Sequence, residues 1–264
     1  MLNTFSNVTY TPHPLSYPLK QIKKTMIMKN LKVLLLSSLL MIIGIATASS
    51  QNVEIVSKKY PIKPFSSIKA NTVADIVFTQ SDIVSMRIDG VQKVIDHLYI
   101  TERKGVLIIE SNIEFGNIND APAVIFISSP NIEAIETYGM GNWCLKGKVQ
   151  ADRLHIISEG IGNIHALNLQ INKIDIKHEG IGNIKIGGIT ELVQIFSGGV
   201  GNIDCENLLA KTAMVRSTKI GKVNCFASEC IGIFNDGIGE IAFHGNPALR
   251  NLQNEGMGII REAK

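Results

Sequence analysis

The sequence predicts an all-β fold, a single-stranded β-solenoid or right-handed β-helix with coils of about 20 residues. The first observation is a Gly-x-Gly-Asn motif that recurs over residues 139–260. The second is its spacing, because the second glycines of successive motifs are 18 to 21 residues apart. The third is an alternation of apolar and polar residues on both sides of each motif, which is typical of strands. A fixed period of this kind predicts one structural coil per motif.

Each motif is predicted to form a sharp turn. Glycine adopts positive φ angles without steric cost, and asparagine tolerates them better than most residues. The apolar residue between the glycines, such as Ile161, is expected to point inward and fill the corner. The last copies are degenerate, with Lys219, Glu240 and Ile259 in place of motif residues. The predicted structural turn residues are Gly139, Gly141, Asn142, Gly160, Gly162, Asn163, Gly180, Gly182, Asn183, Gly199, Gly201, Asn202, Gly221, Gly237, Gly239, Gly256 and Gly258.

The segments that flank each turn are predicted to be strands. Two residues after the second glycine and six residues before it, every copy carries an apolar residue, such as Ile184 and Ile176. These residues are mostly isoleucine and valine, which strands prefer. Coils stacked about 4.8 Å apart would align them into a continuous aliphatic core. The variation in coil length is assigned to the second connection, around residues 150–151, 170–172 and 190–191.

Residues 52–130 lack the regular motif but have strand-like composition. Only residues 91–97 are predicted to form a short helix. The whole part is expected to continue the solenoid as wider N-terminal coils. Strands are predicted at residues 64–70, 74–80, 84–88, 105–110 and 123–127.

The N-terminal end is not expected to belong to the fold. Residues 1–27 are interpreted as a mis-called extension. Residues 28–48 combine a basic start, an apolar run and a small-residue cleavage site near Ala48, which is the pattern of a secretory signal peptide. The alternative is a genuine N-terminal tail on a signal anchor. A single solenoid domain is then predicted over residues 52–264.

Removal of the predicted signal segment changes the net charge. The first 48 residues contain five lysines and no acidic residue, so the remainder has 21 basic and 23 acidic residues. This near-neutral balance excludes a nucleic-acid partner, which requires a concentrated basic patch. One tryptophan and an aromatic share of 6% also argue against a surface that stacks on nucleic acid or sugar rings. No membrane span is predicted after signal removal.

Three rows of polar side chains would line up once the coils are stacked. The motif asparagines could bind a glycan or a cation, or could simply satisfy the turn by amide stacking, and the second interpretation is favoured. Glu159 and Glu179 could bind calcium or act as an acid–base pair, but solvated turn charges are favoured. His178, with Ser158 and Ser197 one coil away on either side, could form a catalytic pair, but a hydrogen-bonded polar ladder is favoured. No catalytic residue, metal site or cofactor is predicted.

The cysteines fall within the repeats. Cys205 and Cys225 occupy the same position in successive coils and could form a disulfide between them. The favoured interpretation is a stacked pair of buried thiols, because in-register neighbours often have poor disulfide geometry. The sequence does not determine the state of Cys144 or Cys230.

The chain resembles the putative auto-transporter adhesin "head GIN" domain, a family frequent in secreted proteins of Bacteroides-type bacteria. The segment Gly-Ile-Gly-Asn-Ile at residues 160–164 is similar to the turn for which the family is named. Residues 65–68, 75–80 and 125–135 also match its pattern. The resemblance covers residues 60–260. It implies a β-helix similar in shape to pectin lyases and a role in cell adhesion.

The predicted function is a secreted or cell-envelope scaffold that acts like an adhesin without enzymatic activity. The expected partner is a host or cell-surface glycan or protein. One alternative is a polysaccharide-active β-helix enzyme, a lyase or a hydrolase. Another is a periplasmic assembly module that forms a homo-oligomer through its exposed end coils. The sequence does not separate the periplasm from the outer surface or the extracellular space.

Overall fold

The computed structural model describes residues 54–112, 123–218 and 220–263, which form mostly strands. A four-residue helix, α1 (Gln92–Ile95), falls within the segment predicted to be helical. No helix in this part of the chain is long and apolar enough to cross a membrane. The strands are β1 (Ile55–Tyr60), β2 (Ser67–Asn71), β3 (Ala74–Gln80), β4 (Ser85–Val91), β5 (Leu98–Arg103), β6 (Val106–Ser111), β7 (Ala123–Ser129), β8 (Ala134–Thr137), β9 (Trp143–Lys146), β10 (Val149–Ser158), β11 (Ile164–His178), β12 (Ile184–Ser197), β13 (Ile203–Cys205), β14 (Leu208–Ser217), β15 (Lys222–Phe226), β16 (Cys230–Asn235), β17 (Glu240–His244), β18 (Leu249–Asn254) and β19 (Ile259–Glu262).

Several predictions fall outside the described residues. These are the N-terminal extension at residues 1–27, the signal peptide at residues 28–48 with its cleavage site near Ala48, and the degenerate motif residue Lys219. They stay predictions.

The strands stack into parallel ladders, one rung per coil, which confirms the predicted all-β solenoid. On the side that precedes each glycine corner, Ile156 is the in-register neighbour of Ile135 and of Ile176. On the side that follows the corner, Ile164 pairs with Trp143 and with Ile184. The beginnings of β10 and β14 and the middles of β11 and β12 pair along a third side. The sequence period of about 20 residues thus corresponds to one three-sided coil.

Alternation along each strand decides which side chains form the core. Ile156, Ile176 and Ile195 occupy the same position in successive coils and are at most 3% exposed. The buried residues form one cluster that extends from Phe65 to Phe243. A fully buried isoleucine contributes roughly 1.5–3 kcal/mol by leaving water. Because a single coil cannot bury its own apolar face, the stack as a whole supplies this stabilisation.

The corner residue between the two glycines points outward, so its predicted inward orientation is wrong. Ile161 is 50% exposed and Ile181 is 53% exposed. The physical reason is the strand period of two: Ile176 and His178 are buried, so the odd position of Ile181 faces outward. Parallel bridges link most successive corner residues. The resulting row, called the corner ridge, comprises Met140, Ile161, Ile181, Val200, Ile220, Ile238 and Met257.

The N-terminal part does not form the wider coils that the sequence suggested, although strands occur in all the predicted segments. Strands β2 and β3 form a coil in register with β8 and β9. Strands β6 and β7 continue these parallel ladders on the other side of β2 and β3. Antiparallel pairs are added to them, β5 on β6 and both β1 and β7 on β4. Lys104 and Gly105, both with positive φ, form the two-residue turn between β5 and β6, as tight hairpins require. The solenoid thus continues into this end as predicted, and added antiparallel strands take the place of the expected wider coils.

An ion pair covers the core at the C-terminal end. Register places Arg250 beside the buried Ile231, and Glu262 beside the buried Phe243. The Arg250 guanidinium lies 5.5 Å from the centroid of the Phe243 ring. Its Nη1 and Nη2 donate to the Glu262 carboxylate at 2.8 and 3.2 Å. Terminal repeats of solenoids need such a polar outer face for solubility.

Candidate functional site

The motif asparagines are engaged within the fold. Asn142 Oδ1 accepts hydrogen bonds from the backbone N–H and the side-chain amide of Asn163, at 3.1 and 2.9 Å. Asn163 Oδ1 accepts the equivalent pair from Asn183, at 2.9 and 3.2 Å. Asp75 Oδ1 begins the row by accepting from Asn142, and Asn202 Oδ1 ends it by accepting from the Lys222 N–H. Each side-chain oxygen therefore joins one coil to the next, which supports the turn interpretation over a ligand site.

The predicted turn glycines lie where neighbouring corners touch. Gly162 and Gly182 have φ angles of 150° and 143°, outside the range that L-residues with a side chain adopt. A Cβ atom on Gly182 would lie 1.9 Å from the Gly162 carbonyl oxygen. The first glycine of the same motif, Gly180, is equally crowded, with 2.2 Å to the Gly160 oxygen. The motif therefore meets a steric need of coil stacking.

One lysine bridges the predicted carboxylate pair. Lys177 Nζ lies 3.1 Å from Glu159 Oε1 and forms a second ion pair with Glu179. The hydrogen bond to Glu179, and to a smaller extent the one to Glu159, raises the pKa of Lys177, so the lysine stays charged. Within the described residues, no group of three or more His, Cys, Asp and Glu side chains is arranged to hold a metal ion.

The histidine–serine row faces the interior. His178 is fully buried, and its Nδ1 lies 3.2 Å from Ser158 Oγ. Burial lowers the pKa of His178. Ser197, on the other side, is also buried. This row packs behind the glycine corner, in the space that Ile181 was expected to fill, and it has no open path to a ligand in solution.

The two in-register cysteines are buried free thiols in this structure. Cys205 pairs with Cys225 across adjacent coils, and both side chains are inaccessible to solvent. Burial raises the pKa of Cys225 to about 12 and raises that of Cys205 as well. Cys144 is exposed and Cys230 is half-buried, and both are free. The buried pair is poorly suited to nucleophilic chemistry, because the thiolate is the reactive form.

A groove on the outer face of the parallel sheet that precedes the corners is the best candidate site. It has a volume of about 710 Å³ and crosses the strands β10, β11, β12, β14, β16 and β18. Its lining includes apolar, amide and charged side chains from six successive coils. We call this surface the groove face, and its outward residues are His155, Asp175, Lys177, Glu179, Gln194, Phe196, Met214, Arg216, Gly232, Phe234, Asn251 and Gln253.

Two phenylalanines give the groove face its apolar character. Phe196 and Phe234 flank Arg216 in the same in-register row. The Phe196 ring leans over Gly198, where an added Cβ atom would lie 2.8 Å from Cε1 of the ring. The Arg216 guanidinium stacks over the Phe234 ring, 5.4 Å from its centroid. Aromatic residues are scarce in the chain, so the sequence argued against a stacking surface, but the fold brings these two together.

Sequence reasoning missed the groove face because its residues share no motif. Successive members of the row Phe196, Arg216 and Phe234 are 20 and 18 residues apart. Each lies five positions before the second glycine of its motif. The row becomes visible in the sequence when the outward positions of successive coils are aligned. The signal was present in the same repeat that predicted the fold.

Comparison with known proteins agrees with this architecture. The family model described as "Putative auto-transporter adhesin, head GIN domain" matches residues 64–247. The crystal structure of a putative adhesin from Bacteroides fragilis is similar, with a TM-score of 0.78 and 28% identity over 80% of this chain and 97% of that chain. None of the curated proteins matches the chain in sequence.

Two further crystal structures share the fold at lower identity. A putative lipid binding protein from Parabacteroides distasonis has a TM-score of 0.61 and 20% identity, over 81% of this chain and 98% of that chain. A putative adhesin from Parabacteroides merdae has a TM-score of 0.57 and 17% identity, with the same coverage. The predicted resemblance is thus confirmed, and the chain belongs to the head GIN domain family of putative auto-transporter adhesins.

Proposed function

We propose that the protein is an exported, non-enzymatic adhesin that binds an extended cell-surface glycan along its groove face. The groove itself carries the proposal, because it presents two aromatic rings and several amides across six coils. Apolar faces with a few polar groups are typical of ligand sites. A rigid row of such contacts suits a repeating polymer, since many weak contacts add up to useful avidity. The predicted signal peptide and the family description support export to a surface.

The charged residues of the groove face favour binding over catalysis. Glu159 and Glu179 share the Lys177 ammonium, so neither carboxylate is poised as a free acid or base. His178 is enclosed in the core and does not reach the groove. One observation favours the alternative of a polysaccharide lyase or hydrolase: His155, Asp175, Lys177 and Arg216 lie on the same parallel sheet, with His155 in register with Asp175.

A glycan array with groove variants tests the proposal. The purified protein should bind at least one class of glycan, and Phe196→Ala combined with Phe234→Ala should weaken binding about tenfold or more. The matched control is Leu167→Ala with Leu209→Ala, two leucines that are 58% and 51% exposed outside the groove. The control should bind like the unmodified protein.

Three results would contradict the proposal. The first is the absence of any glycan binding by the unmodified protein. The second is full binding by the double phenylalanine variant, which would move the site away from the groove. The third is turnover, seen as new reducing ends when the protein is incubated with the polysaccharides that it binds. Cell fractionation with the tagged protein tests export, and a cytoplasmic location would contradict it.

A further inference from the structure

The charged side chains of the groove face differ in whether they form ion pairs. Lys177 is held between Glu159 and Glu179, and Asp175 lies 3.1 Å from Lys173. Arg216, in contrast, forms no ion pair with any carboxylate of the described residues, and its guanidinium stacks on the Phe234 ring. The middle of the groove therefore presents one cation that has no ion-pair partner among the described residues, and it lies between two aromatic rings.

The setting of Arg216 suits a carboxylate ligand. Stacking on Phe234 holds the planar guanidinium beside the ring and leaves N–H groups free to donate. A guanidinium binds a carboxylate through two parallel hydrogen bonds, which gives both strength and orientation. The side chain is exposed, so a ligand can reach it without displacing a protein partner. On either side, Gln194 and Gln253 offer neutral groups that can bind hydroxyls.

The shape of the groove favours a sugar polymer over a lipid. It is an open surface channel along the coil axis, whereas a lipid tail requires an enclosed apolar cavity. Phe196 and Phe234 lie two coils apart, roughly 10 Å at the usual strand spacing. Between them, Arg216 occupies the intervening coil. Successive rings of a chain lying along this axis would meet an aromatic face, a cation and a second aromatic face.

We infer that the ligand of the groove face is an acidic glycan, and that Arg216 binds the carboxylate of a uronic-acid-type unit while Phe196 and Phe234 contact sugar rings. This inference rests on the proposed function and adds the chemical class of the glycan. It assigns Arg216 the selective role, because the phenylalanines can stack on neutral and acidic sugars alike. The expected consequence is selectivity for charge within otherwise similar polymers.

Binding to matched acidic and neutral polymers tests the inference. The probes are polygalacturonate, alginate and hyaluronan, together with fully methyl-esterified polygalacturonate and dextran as uncharged counterparts. The protein should bind at least one acidic polymer about 10- to 100-fold more tightly than its neutral counterparts, as expected for a charge-assisted hydrogen bond. Arg216→Gln should abolish this preference and leave weak binding to both kinds of polymer. Arg216→Lys should restore part of it, since the charge returns without the planar fork.

Matched variants separate the selective role of Arg216 from nonspecific attraction. Lys148→Gln removes the same charge from an exposed position outside the groove and should leave the preference unchanged. Equal binding of acidic and neutral polymers by the unmodified protein, abolished by the double phenylalanine variant, would overturn the inference and leave the proposed function standing. Binding to vesicles of phosphatidylglycerol through Arg216, without binding to any acidic polymer, would overturn the glycan assignment. If Lys148→Gln and Arg216→Gln reduced the preference for acidic polymers equally, the specific role of Arg216 would be overturned.

Discussion

Replacing Gly182 by alanine should destabilise the solenoid strongly, because the corner has no room for a side chain. The new Cβ atom would lie 1.9 Å from the Gly162 carbonyl oxygen, whereas ordinary contact begins at 3.4 Å. The corner would have to open by roughly 1.5 Å, about a third of the strand spacing. Such opening would stretch the hydrogen bond from the Gly162 N–H to the Ile181 carbonyl across the same gap, now 2.9 Å.

Two separate costs set the magnitude. A residue with a side chain at a φ of 143° costs about 1–3 kcal/mol in backbone strain. Forcing an extra carbon into a packed contact costs a further ~1–3 kcal/mol. With the weakened hydrogen bond, Gly182→Ala should lower the free energy of unfolding by about 3–6 kcal/mol.

Two other glycines isolate these costs. Gly147 has a φ of 79° but no neighbour within 4 Å of an added Cβ atom, so Gly147→Ala should cost only about 1–2 kcal/mol. Gly180 is crowded by the Gly160 oxygen without a positive φ, so Gly180→Ala should cost about 1–3 kcal/mol. Guanidinium unfolding followed by circular dichroism measures all three variants. A loss for Gly182→Ala no larger than that for Gly147→Ala would refute the steric argument.

Three further predictions follow from the core and its ends. Burial lowers the pKa of His178, so below about pH 6.5 the unfolded chain binds the extra proton first, and stability should fall by up to about 1.4 kcal/mol per pH unit. His178→Ser should flatten this decline in urea unfolding between about pH 5 and 7, and an equal slope would contradict the assignment. Ile181→Ala on the corner ridge should cost less than about 1 kcal/mol, against about 2–5 kcal/mol for the buried Ile184→Ala, and equal losses in thermal unfolding would restore the inward orientation. Replacing both Arg250 and Glu262 by leucine should expose an apolar end and cause self-association in light scattering, whereas a monomer would show that the ion pair is dispensable for solubility.

The repeat made the coil predictable because its glycines and its inward aliphatic positions are under direct steric and hydrophobic constraint. Ile176 and Ile184 must face the core, and Gly182 must lack a side chain, so the sequence records both. The orientation of Ile181 was misjudged because its apolar character was given more weight than its odd position. Strict alternation from His178 would have placed it outside.

The groove face and the ends were harder to predict for a different reason. The residue type at an outward position is constrained only by solubility and by ligand binding. The same outward position therefore holds Phe196, Arg216 and Phe234 in successive coils, and no motif marks it. At the N-terminal end, antiparallel pairing depends on which strand meets which, and only the Lys104–Gly105 turn gave a local signal. Long-range strand pairing of this kind cannot be predicted from any single segment of the sequence.

The asparagine row has a direction, and that direction bears on how the protein folds. Every hydrogen bond in it runs from a donor in a later coil to an acceptor in the coil before, beginning at the Asp75 carboxylate. A completed coil therefore offers an oriented acceptor to the coil that follows it in the chain, while the Asp75 carboxylate has no side-chain N–H and needs no acceptor in an earlier coil. We therefore expect the coils to add from the N-terminus onward, in the order in which the chain is synthesised.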